Sequence, residues 1–208
     1  MVGLIALVVV LVLVGIAALW AAGVYNGLIR LRNLVQEAWR QIDVELTRRH
    51  DLIPNLVETV RAYAAHEAQA LEAVVAARAS AAAPGVPVPA QAVAEGALSS
   101  ALGRLYAVAE SYPALKANQN FLALQTELTE TEDRVAAGRR FYNANVRELN
   151  TRIESFPSNL FARAFTVTRA DYFEVVDAVA RQVPAVRFDR PAAPAPAVVP
   201  PGYEPPAR

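Results

Sequence analysis

The sequence predicts an all-α protein, with one N-terminal transmembrane helix continuous with an antiparallel four-helix bundle. Three observations carry that expectation. The segment Met1–Tyr25 contains no charged or amide side chain. From Tyr25 onward the apolar residues recur at helical spacing, and no alternating strand pattern occurs between 26 and 182. The helical stretches are separated by short segments carrying proline or glycine, which favour neighbouring helices of opposite direction. The expected organisation is a transmembrane anchor (1–25), a helical bundle (26–182) and a proline-rich disordered tail (183–208).

The anchor comes first. About 20 apolar residues cross a hydrocarbon core of about 30 Å as a helix. A signal peptide would carry a basic n-region and a shorter apolar core. Here no Lys or Arg precedes the run, which is also too long, so a retained anchor is expected. Trp20 and Tyr25 suit the membrane interface. Arg30, Arg32 and Arg40 follow the span closely. The positive-inside rule then places the N-terminus outside and the C-terminal domain in the cytoplasm, as a single-pass protein of the cytoplasmic (inner) membrane.

The first bundle helix follows without a strong breaker. Leu28, Leu31, Val35, Trp39, Ile42, Leu46, Ile53, Val57, Val60 and Ala64 keep a helical period, with charged residues between them. From Val2 to Ile53 a straight helix would measure about 78 Å, a stiff stalk. The pattern continues to "AAAPGVPVPA" (81–90), where proline and glycine stop it. Within it, Pro54 removes the hydrogen bond to the carbonyl of His50 and predicts a kink. That carbonyl needs another donor, from Asn55, an arginine side chain or water.

A second helix is expected over 91–111 and a third over 115–154. Their unequal lengths leave two alternatives. The third helix overhangs the second by about 28 Å, or it breaks, with Gly138 as the weak point. "SFPSNLFARAF" (155–165) breaks at Pro157 and restarts as a short amphipathic piece. "TRAD" (168–171) fits a capping box, so a fourth helix is expected from there to about Arg181. Beyond it, the prolines from Pro184 to Pro206 suit disorder or polyproline II. "PPGY" (200–203) and "PAAP" (191–194) match proline-directed ligand patterns that arise easily by chance in such a tail.

The search for chemistry returns little. The chain has 20 basic and 20 acidic residues and no cysteine. It therefore has no broad electrostatic footprint for nucleic acid, and no thiolate chemistry or disulfide. Its two histidines, His50 and His66, stand beside Asp51 and Glu67. On a straight helix they lie about 24 Å apart, too far to share an ion. Neither a Glu-x-x-His pair nor His-Glu-x-x-His occurs. Glu127, Glu130, Glu132 and Asp133 read as a solvated helix face. No catalytic, metal or cofactor site is expected. Polar residues at core-like positions are more informative: Arg48, Arg49, Asp51, Asn118, Gln125 and Asn143, with Asn55 and Asn145. Inside a bundle they would be hydrogen-bonded and would fix register, or they would form a polar contact surface for a partner. Arg48 and Asp51 are spaced for an ion pair.

Three blocks carry a family resemblance: "RRHDLIPNLVETVRAYAAHE" (48–67), "AESYPALKANQNFLALQTELTETEDRVAAGRRFYN" (109–143) and "RIESFPSNLFARAF" (152–165). With "YNGLIRLRNLVQEAW" (25–39) and "ADYFEV" (170–175), they make residues 1–176 similar to the LemA family. The resemblance implies an antiparallel four-helix bundle on one membrane helix, with a small N-terminus outside the cytoplasm. It brings no established enzymatic activity and no catalytic residues. The loop near 84–90 and the tail depart from the family pattern. The expected role is a non-enzymatic interaction or scaffold protein of the bacterial envelope. Its partners would be the lipid bilayer and another envelope protein; membrane metalloproteases enter by family association only. The alternative is a self-assembling or membrane-shaping protein, with helices pairing as coiled coils into a homo-oligomer and "SNLFARAF" lying on a bilayer. A metal-dependent enzyme is the reading the residues support least.

Overall fold

A computed structural model describes residues 1–175 of the chain. The described part is all-helical: α1 (Val2–Arg61), α2 (Ala68–Ala81), α3 (Val88–Ala109), α4 (Pro113–Lys116), α5 (Gln119–Glu154) and α6 (Ser158–Ala164). The proline-rich segment expected over 183–208, with its PPGY pattern, lies outside the described residues.

α1 runs unbroken through the apolar segment into the body. Its side chains from Val2 to Trp20 are exposed. The helix is long and apolar enough to cross a membrane by length and composition. From Leu28 onward one stripe is buried: Leu28, Val35, Ala38, Ile42, Leu46, Ile53, Leu56, Val57 and Val60. The three-, four- and seven-residue spacing read from the sequence is the stripe that packs.

The expected continuation of this helix to about residue 80 is corrected by the structure. α1 ends at Arg61, a turn occupies 62–67, and α2 begins at Ala68. Helix propensity in this alanine-rich run favours continuation, but long-range contacts override it. Asn118 Nδ2 donates to the Tyr63 hydroxyl (2.9 Å), and the Tyr112 hydroxyl donates to Glu67 Oε1 (3.1 Å). Chain reversal also brings Leu71 and Val74 into one core with Ile53, Leu56, Val57 and Val60.

α5 settles the length problem in favour of overhang. It is one helix of 36 residues, about 54 Å long. Asn118 caps its start, accepting from the amide of Phe121 (3.1 Å). Gly138 does not break it. A Cβ there would lie 3.0 Å from Ile42 Cγ1, so glycine lets α5 approach α1 closely. Partners on α5 descend as those on α1 ascend: Tyr142 with Trp39, Arg134 with Glu45, Glu132 with Arg49, and beyond the helix ends the cap Asn118 with Tyr63 of the turn. The overhanging half carries a second core in which Tyr142, Val146 and Leu149 meet Leu28, Val35 and Ile42.

The helix expected from Thr168 is also corrected. Residues 167–175 are not helical. α6 ends in a Schellman motif: Val167 N–H donates to Ala162 O (2.9 Å) and Thr166 N–H to Arg163 O (3.3 Å). Thr166 takes the left-handed position, φ 55°. The chain then runs back along α5 and buries Phe173 completely. Two amides hold it there. Asn150 exchanges both bonds with the backbone of Ala170 (3.0 and 3.0 Å). Asn143 does the same with Phe173 (3.1 and 3.0 Å). Seven helical residues advance about 10.5 Å and three extended residues about 10 Å, so the two pairs match in spacing. Both backbone amides are thereby satisfied by side chains, and the local capping-box signal is overruled.

Candidate functional site

The stretch Arg49–Pro54 of α1 is where the other long helices are tied together. Glu95, on α3, is at its centre and is 2% exposed. It sits on the stripe formed by Gln91, Ala92, Leu98, Leu102 and Leu105. A buried carboxylate needs charge and donors to offset its lost hydration. Arg49 Nη1 supplies charge to Oε2 at 3.2 Å. Oε1 faces His50 Nε2 at 2.8 Å and accepts from Gln91 Nε2 at 3.0 Å. Gln91 also donates to Ala81 O, the last carbonyl of α2 (2.8 Å).

Arg49 reaches further. Its Nη2 donates to Ser99 Oγ (2.8 Å) and lies 3.6 Å from Glu132 Oε2 on α5. Its Nε is buried without a protein acceptor. A cleft of about 130 Å³ adjoins the guanidinium, lined also by Gly103, Tyr106 and Thr129. Burial pushes the Tyr106 hydroxyl up to about 12, against the lowering effect of Arg49, with Glu132 adding to the rise.

Pro54 contributes through what it removes. With no N–H at Pro54, the His50 carbonyl loses its helical donor. Arg78 of α2 replaces it, donating from Nε at 2.7 Å. This is the arginine option of the three donors the sequence left open. One turn of α1 therefore bonds to α2 through Arg78, to α3 through Glu95 and Ser99, and to α5 through Glu132.

The polar residues singled out in the sequence divide. Arg49 is buried in this hub. Arg48, Asp51 and Asn55 are exposed, and the expected Arg48–Asp51 ion pair does not form among the described residues. Their spacing permits pairing, but in water such a pair gains little against side-chain entropy. Asn118 caps α5 and Asn143 pairs with Phe173, as above. Gln125 is half-buried, and Asn145 only back-bonds to Phe141 O (3.1 Å). His66 is exposed, far from the role of His50. Trp20 and Tyr25 meet α6, with ring centroids 5.5 Å from Phe161 and 4.6 Å from Phe165. Among the described residues no group of three or more His, Asp or Glu is arranged to hold a metal ion.

Sequence reasoning missed Glu95, Gln91, Ser99, Arg78 and Asn150. A signal for Glu95 exists: Gln91, Glu95, Leu98, Leu102 and Leu105 recur at four, three, four and three, so a carboxylate occupies an apolar stripe. Arg78 offers no comparable signal, because its acceptor is created by a proline on another helix.

Comparison with known proteins gives three relatives and one family. The sequence model of the LemA family matches residues 38–188. Magnetosome proteins MamQ 2 and MamQ 1 of Paramagnetospirillum magneticum are each 40% identical over 81 residues, which is 39% of this chain and 30% of theirs. Magnetosome protein MamQ of Magnetospirillum gryphiswaldense is 34% identical over 80 residues, 38% of this chain and 29% of its own. The matches thus span under a third of the length of these curated relatives.

Proposed function

From the premise that this chain belongs to the LemA family, we propose that it is a membrane-anchored interaction or scaffold protein of the bacterial envelope, without enzymatic activity. One observation carries the reading. A single helix is bare and apolar along its first third and packed into the body along the rest. A partner engaged by such a body is held at a set height and orientation above the bilayer. We read residues 1–25 as the anchor, and the distal half of α1 with α2, α3 and α5 as an antiparallel four-helix bundle. The descending register of α5 on α1 supports that arrangement, and the break at 62–67 supplies the extra helix. Arg30, Arg32 and Arg40 beyond the span support an N-terminus outside and a body in the cytoplasm.

The non-enzymatic part has its own support. Arg49, His50 and Glu95 are at most 7% exposed and bond to one another, to Gln91 and to Ser99. Such a network specifies how helices align. The partner surface then falls to the exposed side of the same motif, at Arg48, Asp51 and Asn55. The test is a photo-crosslinking residue placed at Asp51, at Asn55 or at Phe141, in full-length protein in native membranes. The reading predicts a discrete adduct with another envelope protein from positions 51 and 55. Adducts only between copies of this chain would favour self-assembly, and no adduct at all three would remove this surface from the account.

A further inference from the structure

We propose that α6 and the turn before it form a second membrane contact, seated in the headgroup layer of an anionic bilayer beside the anchor. The proposal rests on reading residues 1–25 as a membrane span. Phe156, Leu160 and Phe165 are 80%, 56% and 55% exposed. These are large apolar side chains on a seven-residue helix and its flanks, whose inward side is occupied by Ser158 and Ala162. Water is a poor solvent for such a patch, and its position along α1 identifies a better one.

Two ring contacts fix that position. Phe161 meets Trp20 and Phe165 meets Tyr25. Five residues on α1 advance about 7.5 Å and four on α6 about 6 Å. Phe161 thus stands by Trp20 and Phe165 by Tyr25, and Leu160 neighbours the Trp20 contact. Val2 to Trp20 measures about 27 Å, close to the thickness of the hydrocarbon core. When that segment spans, Trp20 stands at the boundary, and Phe161 stands with it. Aromatic side chains are favoured at this depth.

The charges complement an anionic surface. Arg152 pairs with Glu148 (3.5 Å) and Arg169 with Glu154 (2.8 Å). Arg30, Arg32 and Arg163 make no ion pair among the described residues. Arg163 lies between Phe161 and Phe165, where arginine reaches lipid phosphates while its stem covers apolar surface. Arg30 and Arg32, about 15 and 18 Å past Trp20 along α1, add positive charge on the same side of the boundary. Between α1 and the ends of α5 and α6 a cleft of about 390 Å³ opens, lined by Trp20, Val24 and Leu31 and by Arg30 and Arg152. At this depth such a cleft suits lipid chains below and headgroups above.

The absence of cysteine makes the test direct. Single-cysteine variants Leu160→Cys, Phe165→Cys, Phe141→Cys and Val12→Cys of the full chain are nitroxide-labelled. They are placed in bilayer discs of mixed phosphatidylglycerol and phosphatidylcholine. Collisions with oxygen, which concentrates in lipid, are compared with collisions with a water-soluble nickel chelate. The expected result is that the label at 160 favours oxygen, 165 is intermediate and 141 favours nickel. Labels at 160 and 165 that behave like 141, with 12 still in lipid, would overturn this proposal alone. A label at 12 open to nickel would overturn the anchor reading itself. A label at 160 reached by neither reagent would show a protein covering the patch, which also overturns the proposal.

Discussion

Replacing Glu95 with glutamine isolates charge from shape. The side chain keeps its size, and its oxygen can still accept from His50 and Gln91. Its amide nitrogen then faces Arg49 Nη1 across 3.2 Å, donor against donor. Arg49 retains Ser99 at 2.8 Å and an exposed Glu132 at 3.6 Å. Its one buried counter-charge is gone. Removing one partner of a buried ion pair costs about 3–5 kcal/mol. For a body of this size that lowers the melting temperature by about 10 °C, taking about 2–4 °C per kcal/mol. The assay is thermal and urea unfolding of the full chain in mild detergent, followed by circular dichroism. The companion variant Glu95→Gln with Arg49→Met removes the orphaned charge as well. It should lose less than the sum of the single changes, with a coupling of about 2 kcal/mol. A Glu95→Gln variant within about 1 kcal/mol of the parent, or strict additivity, would refute the hub as a charge-coupled unit.

Three further outcomes follow from the same geometry. Arg78→Met should cost about 1–3 kcal/mol by leaving the His50 carbonyl unpartnered, and clearly less in a Pro54→Ala background, where the restored N–H takes over; equal losses in both, by urea unfolding, would refute the exchange of donors. Asn150→Ala removes both bonds to Ala170 and should loosen the segment after α6, read as faster amide hydrogen exchange at 170 and 173 with α3 unaffected; uniform exchange changes would contradict the ladder. Tyr106 and Tyr142 are both pushed up to about 12 from the usual 10.0, chiefly by burial, with Asp171 adding to the rise at Tyr142. The folded chain holds these protons to higher pH than the unfolded chain, so stability is full below pH 10 and falls as pH rises toward 12, by about 2 kcal/mol at Tyr106; Tyr106→Phe should flatten that fall in unfolding midpoints measured across the range.

Local signals in the sequence proved readable wherever the partner of a residue was nearby or generic. The uncharged run to Tyr25 and the stripe from Leu28 to Val60 depend only on solvent and helical period, and both appear where expected. Asn118, expected to fix register or meet a partner, instead caps α5, a contact across only three residues. The misreadings share one physical cause. The turn at 62–67 is held by Tyr112 and Asn118, which arrive from a distant connection. The segment after Thr168 carries a capping pattern, yet Asn143 and Asn150 satisfy its backbone and make helix formation unnecessary. Arg48 and Asp51 had the right spacing and the wrong surroundings. "RRHDLIP" reads as a kink with neighbouring charges, and the groups that bond to it are not local. Its chemistry lies in Glu95 and Arg78, on two other helices.

The most direct test of the account concerns α1 as one rigid rod from anchor to body. Val8 and Val44 are both exposed and lie on the same face, ten turns apart, about 54 Å along a continuous helix. Spin labels at Val8→Cys and Val44→Cys, in the full chain in bilayer discs, report that separation by pulsed dipolar spectroscopy. The account predicts a single narrow distribution centred near that length. A broad distribution shifted to shorter distances would place a hinge near Asn26 and Gly27, and would contradict a body held at fixed height above the membrane.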